Sequence, residues 1–203
     1  MTETAHTEQR DYIGAKLGMW FFLFTEVLLF GGMFLVYSVY REVYTADFHE
    51  AGMEMNVVIG AVNTVILLTS SLTMALSISA IKKGAHKISV LLQAATVLLG
   101  IAFLVNKYFE WSDHIRHGFY PDSPQLLAMS HGKILFFGLY YVMTGIHALH
   151  VLIGVSIITF ILVLTLRGTV TSNDYIKLEN AGLFWHLVDV IWIYLFPLFY
   201  LIL

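Results

Sequence analysis

Cysteine is absent from this 203-residue sequence. That removes disulfides, thiolate metal sites, iron–sulfur clusters and cysteine nucleophiles together. Charge is scarce too. Asp, Glu, Lys and Arg make up 12% of the residues and hydrophobic types 58%, whereas a soluble domain is about a quarter charged. A chain this short has no aqueous core large enough to hide that excess, and a bilayer is the solvent that accepts it. The net charge of −3 gives no reason to expect a nucleic-acid partner. Met1 to Lys16 are mostly polar, with no short apolar region before a small-residue cleavage site. No cleaved signal peptide is expected, so the first span itself should direct insertion. No Gly-rich phosphate loop and no catalytic-triad pattern occurs. Nor is there a ten-residue polar/apolar alternation that would suggest a barrel.

What is present is five long apolar stretches. A hydrocarbon core of about 30 Å needs roughly 20 helical residues, and lipid favours helices because they satisfy their own backbone. The spans are expected at about residues 17–40, 57–81, 88–109, 134–166 and 183–203, the fourth long enough to tilt or to extend beyond the membrane. The fold class is therefore all-α, a polytopic integral membrane helix bundle. Residues 1–16 form a polar N-terminal segment and residues 17–203 a single transmembrane domain. On one side of the membrane Arg10, Lys16, Lys82, Lys83, Lys87, Arg167 and Lys177 give seven basic residues. Arg41, Lys107, Arg116 and Lys133 give four on the other. The positive-inside rule then places the N-terminus in the cytoplasm and the C-terminus outside.

An ionisable group at bilayer depth costs about 2.5–3.5 kcal/mol on insertion scales and calls for an explanation. Glu26 lies in the middle of the first span, and its helical neighbours Met19, Phe22, Leu23, Leu29, Phe30 and Met33 include no basic residue. It is expected to be protonated at neutral pH, either as a proton-handling or lipid-contacting carboxyl or as a hydrogen-bonded link to another helix. Thr144, His147, His150 and Gly154 share one face of the fourth span. Glu179, Gly182, His186, Asp189 and Ile193 share one face of the fifth, where His186 and Asp189 are spaced to interact. Such seams join helices through hydrogen bonds where small residues allow close approach. The competing reading is a metal or haem site using His147, His150 and His186. The paired Glu-x-x-His motifs of a carboxylate-bridged di-metal bundle are missing, so no metal ligand is assigned. Lys107 and Glu110 are expected to pair near the interface as an anchor, and His114 and His117 to lie on a solvated surface. Trp111, Trp185, Trp192 and Tyr200 fit an aromatic belt.

The stretch Trp185-His186-Leu187-Val188-Asp189-Val190-Ile191-Trp192 resembles the signature of cytochrome c oxidase subunit 3. Thr144 to Gly154, reading Thr-Gly-Ile-His-Ala-Leu-His-Val-Leu-Ile-Gly, is similar to that family's next-to-last span. Thr25-Glu26-Val27-Leu28-Leu29-Phe30 resembles the segment that bears its membrane carboxylate. Asn63-Thr64, Ser70-Ser71 and Lys107-Tyr108-Phe109-Glu110-Trp111 also match, in the family's order. The resemblance implies the short, five-span form of a haem–copper oxidase subunit III, its helices in two sub-bundles around a lipid-filled cleft. It implies a non-catalytic chain that supports the stability and proton uptake of subunit I during aerobic electron transport. Subunit I is the main partner, with subunit II and membrane lipids. The chain itself holds no cofactor beyond phospholipid, the haems and copper belonging to the partners. The expected location is the bacterial inner membrane. Glu26 would be the family's carboxyl near proton entry or the lipid cleft, and His147, Glu179, His186 and Asp189 would hold the bundle together. The alternatives are a subunit-III-like accessory protein of a nitric oxide reductase, a haem- or quinone-binding membrane cytochrome, and a small transporter using Glu26.

Overall fold

The computed structural model describes residues 12–201, and these are helical almost throughout. Seven helices follow one another: α1 Tyr12–Val43, α2 Thr45–Met53, α3 Val57–Lys82, α4 His86–Arg116, α5 Pro124–Leu127, α6 His131–Leu166 and α7 Ile176–Tyr200. Five of them, α1, α3, α4, α6 and α7, are long and apolar enough to cross a membrane. They are the five stretches expected from the sequence. Of the polar N-terminal segment, residues 1–11 lie outside the described residues, as do residues 202–203 at the end of the fifth span.

The helices overrun the hydropathic stretches because backbone hydrogen bonding continues past the hydrocarbon into the interface. The link after the first span, expected as a loop, instead contains α2. Helix α7 starts at Ile176, so Glu179 sits in its first turn. Asn56 starts α3 by accepting from the backbone N–H of Val58 and Ile59. The start of α6 is capped from another helix. Asp47 of α2 accepts the Ser130 hydroxyl at 2.7 Å and the Gly132 N–H at 3.2 Å, and a side chain on Gly132 would collide with it.

Helices α3, α4, α6 and α7 pack into one group, and α1 stands at its flank against α7 and α6. Between α1 and α7 remains an apolar groove of about 360 Å³, walled by Trp20, Phe24, Leu183 and Leu187 with His186 among them. The division of the spans thus runs between α1 and the other four. Lipid supplies no hydrophobic drive to join helices, so small residues and side-chain hydrogen bonds must do it. Helices α3 and α4 are joined by Asn106 to Asn63 at 3.0 Å, Thr73 to Thr96 at 2.8 Å and Ser89 to the Ser77 carbonyl at 2.9 Å. At the end of α7 the Leu198 carbonyl, one of four without an intrahelical donor, accepts the hydroxyl of Tyr37 in α1.

Two expected belt residues prove to be core. Trp185 and Trp192 are fully buried, because α7 is surrounded by α1, α3 and α6. Their indole N–H groups donate to Ser70 and Thr64 of α3, each at 3.0 Å. The Trp185 ring fills a slot between Gly100 of α4 and Gly154 of α6, where an added Cβ would come within 2.8 Å and 2.7 Å of it. Gly100→Val or Gly154→Val should therefore lower stability by about 1–3 kcal/mol through overpacking, read as a drop in the unfolding midpoint in detergent. Gly138→Ala in α6, where nothing lies within 4 Å, should leave the midpoint the same or raise it slightly, since alanine is the better helix former.

Candidate functional site

Glu26 has a partner that its own helix does not reveal. Its Oε2 lies 2.9 Å from His150 Nε2 of α6, with both side chains about seven-eighths buried. The other ring nitrogen, Nδ1, lies 2.7 Å from the Ile146 carbonyl, which only accepts, so Nδ1 carries a hydrogen. The Nε2 contact then holds one shared proton. Either a neutral carboxyl donates to the imidazole, or an imidazolium donates to the carboxylate. The pair is electrically neutral in both forms, which is how a carboxyl and an imidazole remain at this depth. Phe30 packs edge-on against the imidazole. The half-exposed Phe22 and exposed Phe24 leave the pair within reach of the lipid-facing surface of α1.

The expected seams are only partly realised. Thr144 and His147 are fully buried, and Gly154 packs on Trp185, whereas His150 turns toward α1. His147 lies between Phe103 and Trp192, and neither of its nitrogens has a hydrogen-bond partner among the described residues. In α7 the expected His186–Asp189 interaction is replaced by one between helices. His186 Nδ1 sits 2.7 Å from the Ser71 hydroxyl of α3. Asp189 is 3% exposed with Ser71 beside it, and neither of its oxygens has a hydrogen-bond partner of good geometry among the described residues. Ile193 faces outward and Gly182 packs on Ile78. Glu179 lies at the aqueous end, clamped between Lys16 of α1 at 2.8 Å and Lys82 of α3 at 2.9 Å. It ties three helices at the bilayer edge.

The largest correction concerns Lys107 and Glu110. They are not interfacial anchors but are 3% and 2% exposed. Lys107 Nζ donates to Glu110 at 3.1 Å and to the Tyr140 and Tyr200 hydroxyls, each at 3.0 Å. Tyr140 donates to Glu110 at 2.7 Å, and Tyr200 donates to the same oxygen. Tyr200, the last residue of α7, is therefore a buried member of this quartet and not a belt residue. Its partners lie 60 to 93 positions away in sequence, so local spacing gave no signal of the burial. His114 is buried too, at 7% exposure, and only His117 of that pair is solvated. No group of three or more His, Asp and Glu side chains suited to a metal ion occurs among the described residues.

A family model described as cytochrome c oxidase subunit III matches residues 2–202. The chain belongs to that family. It is 32% identical over 199 residues to cytochrome c oxidase subunit 3 of Alkalihalophilus pseudofirmus, covering 97% of this chain and 92% of that one. It is 30% identical to quinol oxidase subunit 3 of Bacillus subtilis, covering 91% of this chain and 85% of that one. It is also 30% identical to a heme-copper oxidase subunit I+III of Aeropyrum pernix, covering 92% of this chain but only 22% of that longer protein. The Trp185–Trp192 stretch, which buries both indoles and carries His186 and Asp189, lies within the matched residues. The membrane-embedded bundle is thus that of a subunit III of haem–copper oxidases.

The quartet yields a double-mutant test. Removing one member of a buried ion pair leaves an uncompensated charge, at a cost of about 3–5 kcal/mol. Lys107→Met should therefore destabilise the bundle strongly, and Lys107→Met with Glu110→Met should recover most of that loss. Additive losses in a detergent unfolding series would contradict a coupled pair.

Proposed function

We propose that this chain is a non-catalytic subunit of a haem–copper terminal oxidase, packed beside subunit I and supporting that subunit's stability and proton uptake. The observation that carries the reading is the Glu26–His150 pair. In this reading the pair shares one transferable proton within the membrane-spanning part of the bundle, next to the exposed face of α1. Glu26 and His150 are the proton-handling groups. His147, Glu179, His186 and Asp189 fasten the helices. The apolar groove between α1 and α7 holds a phospholipid acyl chain, below the Lys16–Glu179–Lys82 clamp that marks the headgroup level. Haem and copper belong to partner subunits.

Partnership with subunit I is supported by the relative whose name joins subunits I and III in one chain. Similarity to cytochrome c and quinol oxidase subunits favours this reading over a nitric oxide reductase accessory protein. The basic residues put the Lys16, Lys82 and Lys177 side in the cytoplasm of a bacterial inner membrane.

Deleting the gene should leave the haem spectrum of the remaining oxidase intact while its activity decays faster during sustained turnover. Loss of the haem–copper spectrum from a still-assembled subunit I would overturn the reading. At Glu26, a hydrophobic carbodiimide, which attacks protonated carboxyl groups in lipid-like surroundings, should label the wild type and not Glu26→Gln. His150→Leu, which takes away the proton-sharing partner, should change the labelling rate several-fold. An unlabelled wild type, or equal labelling of Glu26→Gln, would exclude a proton-bearing, lipid-accessible Glu26.

A further inference from the structure

The His186 imidazole is bonded to the bundle on one side only. Its Nδ1 lies 2.7 Å from the Ser71 hydroxyl of α3, while the side chain forms part of the wall of the 360 Å³ groove between α1 and α7. Nε2 has no hydrogen-bond partner among the described residues and, unlike both nitrogens of His147, is not sealed inside the bundle. It is the nitrogen left for the groove. The other walls are apolar or aromatic and carry no charge, with the exposed rings of Trp20 and Phe24 on the α1 side. His186 stands seven residues beyond Glu179 on α7, about 10 Å deeper at 1.5 Å per residue. The polar interface of one leaflet is roughly 5–7 Å thick. A phospholipid whose headgroup sits at the Lys16–Glu179–Lys82 clamp therefore presents only hydrocarbon to His186.

An acyl chain covers these walls but gives Nε2 neither donor nor acceptor, and a polar group left unpaired in hydrocarbon is costly. The occupant that meets it is uncharged, apolar along its length and carries oxygen at hydrocarbon depth. Ser71 narrows the choice. Its hydroxyl makes no bond to a carbonyl of its own helix among the described residues, as those of Ser70 and Thr73 do, so it can donate to Nδ1 or accept from it. Nε2 correspondingly carries a hydrogen or offers a lone pair. A simple ketone or ester meets the first form only, whereas a ring that exists as both carbonyl and hydroxyl meets the two. We infer that the groove binds an isoprenoid quinone. The oxidised ring accepts from Nε2–H, and the quinol hydroxyl donates to bare Nε2. Trp20 and Phe24 offer ring faces for stacking, and the volume lies within the range of small-molecule sites. The tail takes the place that an acyl chain fills when phospholipid occupies the groove. Binding alone is assigned, and electron transfer stays with other chains. The inference shares the groove of the proposed function but does not depend on partnership with subunit I.

The experiment uses the whole complex purified in mild detergent, with an azido-benzoquinone bearing a short isoprenoid tail as the probe. Irradiation should give an adduct that mass spectrometry maps to Trp20–Val27 or Leu183–Val190, and excess unlabelled quinone should suppress it. His186→Phe, which keeps a ring and removes both nitrogens, should lower that yield about five-fold, the value of one hydrogen bond. His186→Gln should restore part of it. Leu187→Trp narrows the groove and leaves Nε2 in place, so it should also lower the yield, and it tests the site where a His186 variant fails to assemble. An unchanged yield in His186→Phe or Leu187→Trp would overturn the inference. So would adducts confined to other subunits, the mark of a groove covered by a neighbouring helix. Equal suppression by added phosphatidylglycerol, the mark of a groove for acyl chains alone, would do the same. If the complex purifies with its haem spectrum and the groove is not labelled, only the quinone site is lost. If this chain purifies with no other subunit, the subunit reading falls, and labelling of the lone chain still decides the site.

Discussion

Hydrocarbon offers no hydrogen bonds, so every polar side chain placed in it must find a partner on another helix or pay for its desolvation. In this chain that constraint organises the whole bundle. Apolar contact alone gives little preference for one helix arrangement over another in lipid. The arrangement is instead specified by a small set of cross-helix bonds: Asn106–Asn63 and Thr73–Thr96 between α3 and α4, Trp185–Ser70, Trp192–Thr64 and Ser71–His186 between α3 and α7, and Glu26–His150 between α1 and α6. Each is worth on the order of 1 kcal/mol in a membrane. Together they fix register, because shifting any helix by one residue turns its polar groups toward lipid.

The Lys107–Glu110–Tyr140–Tyr200 quartet is the extreme case. A full ion pair is buried, and its charges are tolerated because the two tyrosine hydroxyls complete the hydrogen bonding of both ions. By joining α4, α6 and the last residue of α7 it closes the bundle at one end, as the Lys16–Glu179–Lys82 clamp does at the other. Between these ends Trp185 locks α7 into the slot formed by Gly100 and Gly154. Glu26 and His150 sit outside this framework, on the flank where α1 is attached. Their contact ties α1 to α6 without taking part in the packing of the core.

Much of this was legible in the sequence. Hydropathy located all five spans, since it measures the property that the bilayer selects, and the resemblance of Trp185–Trp192 and Thr144–Gly154 to subunit III led to the family. Glu26, His147, His186 and Asp189 were recognisable as buried polar groups because of their apolar neighbours. Their partners were not recognisable. His150 lies 124 positions from Glu26 and Ser71 lies 115 from His186, and helical spacing reports only on neighbours within a turn or two. For the same reason Lys107 and Glu110 read as an interfacial pair and the two tryptophans as a belt. Position near a helix end suggests the interface, but burial depends on which helix lies alongside, and α7 has neighbours on most of its circumference. The helix α2 was missed because it is short and only mildly apolar, and the cap that Asp47 gives to α6 is a tertiary contact.

In the proposed role, polar groups at hydrocarbon depth bind helices, lipid or a proton, and electron-carrying centres lie in other chains. The most direct test is metal analysis of the separated polypeptide, together with its visible spectrum, after dissociation from the oxidase under conditions that preserve its helicity. The expected result is iron and copper far below one equivalent and no Soret band. One equivalent of either metal, or a haem spectrum that is lost in His147→Leu or His186→Leu, would contradict it.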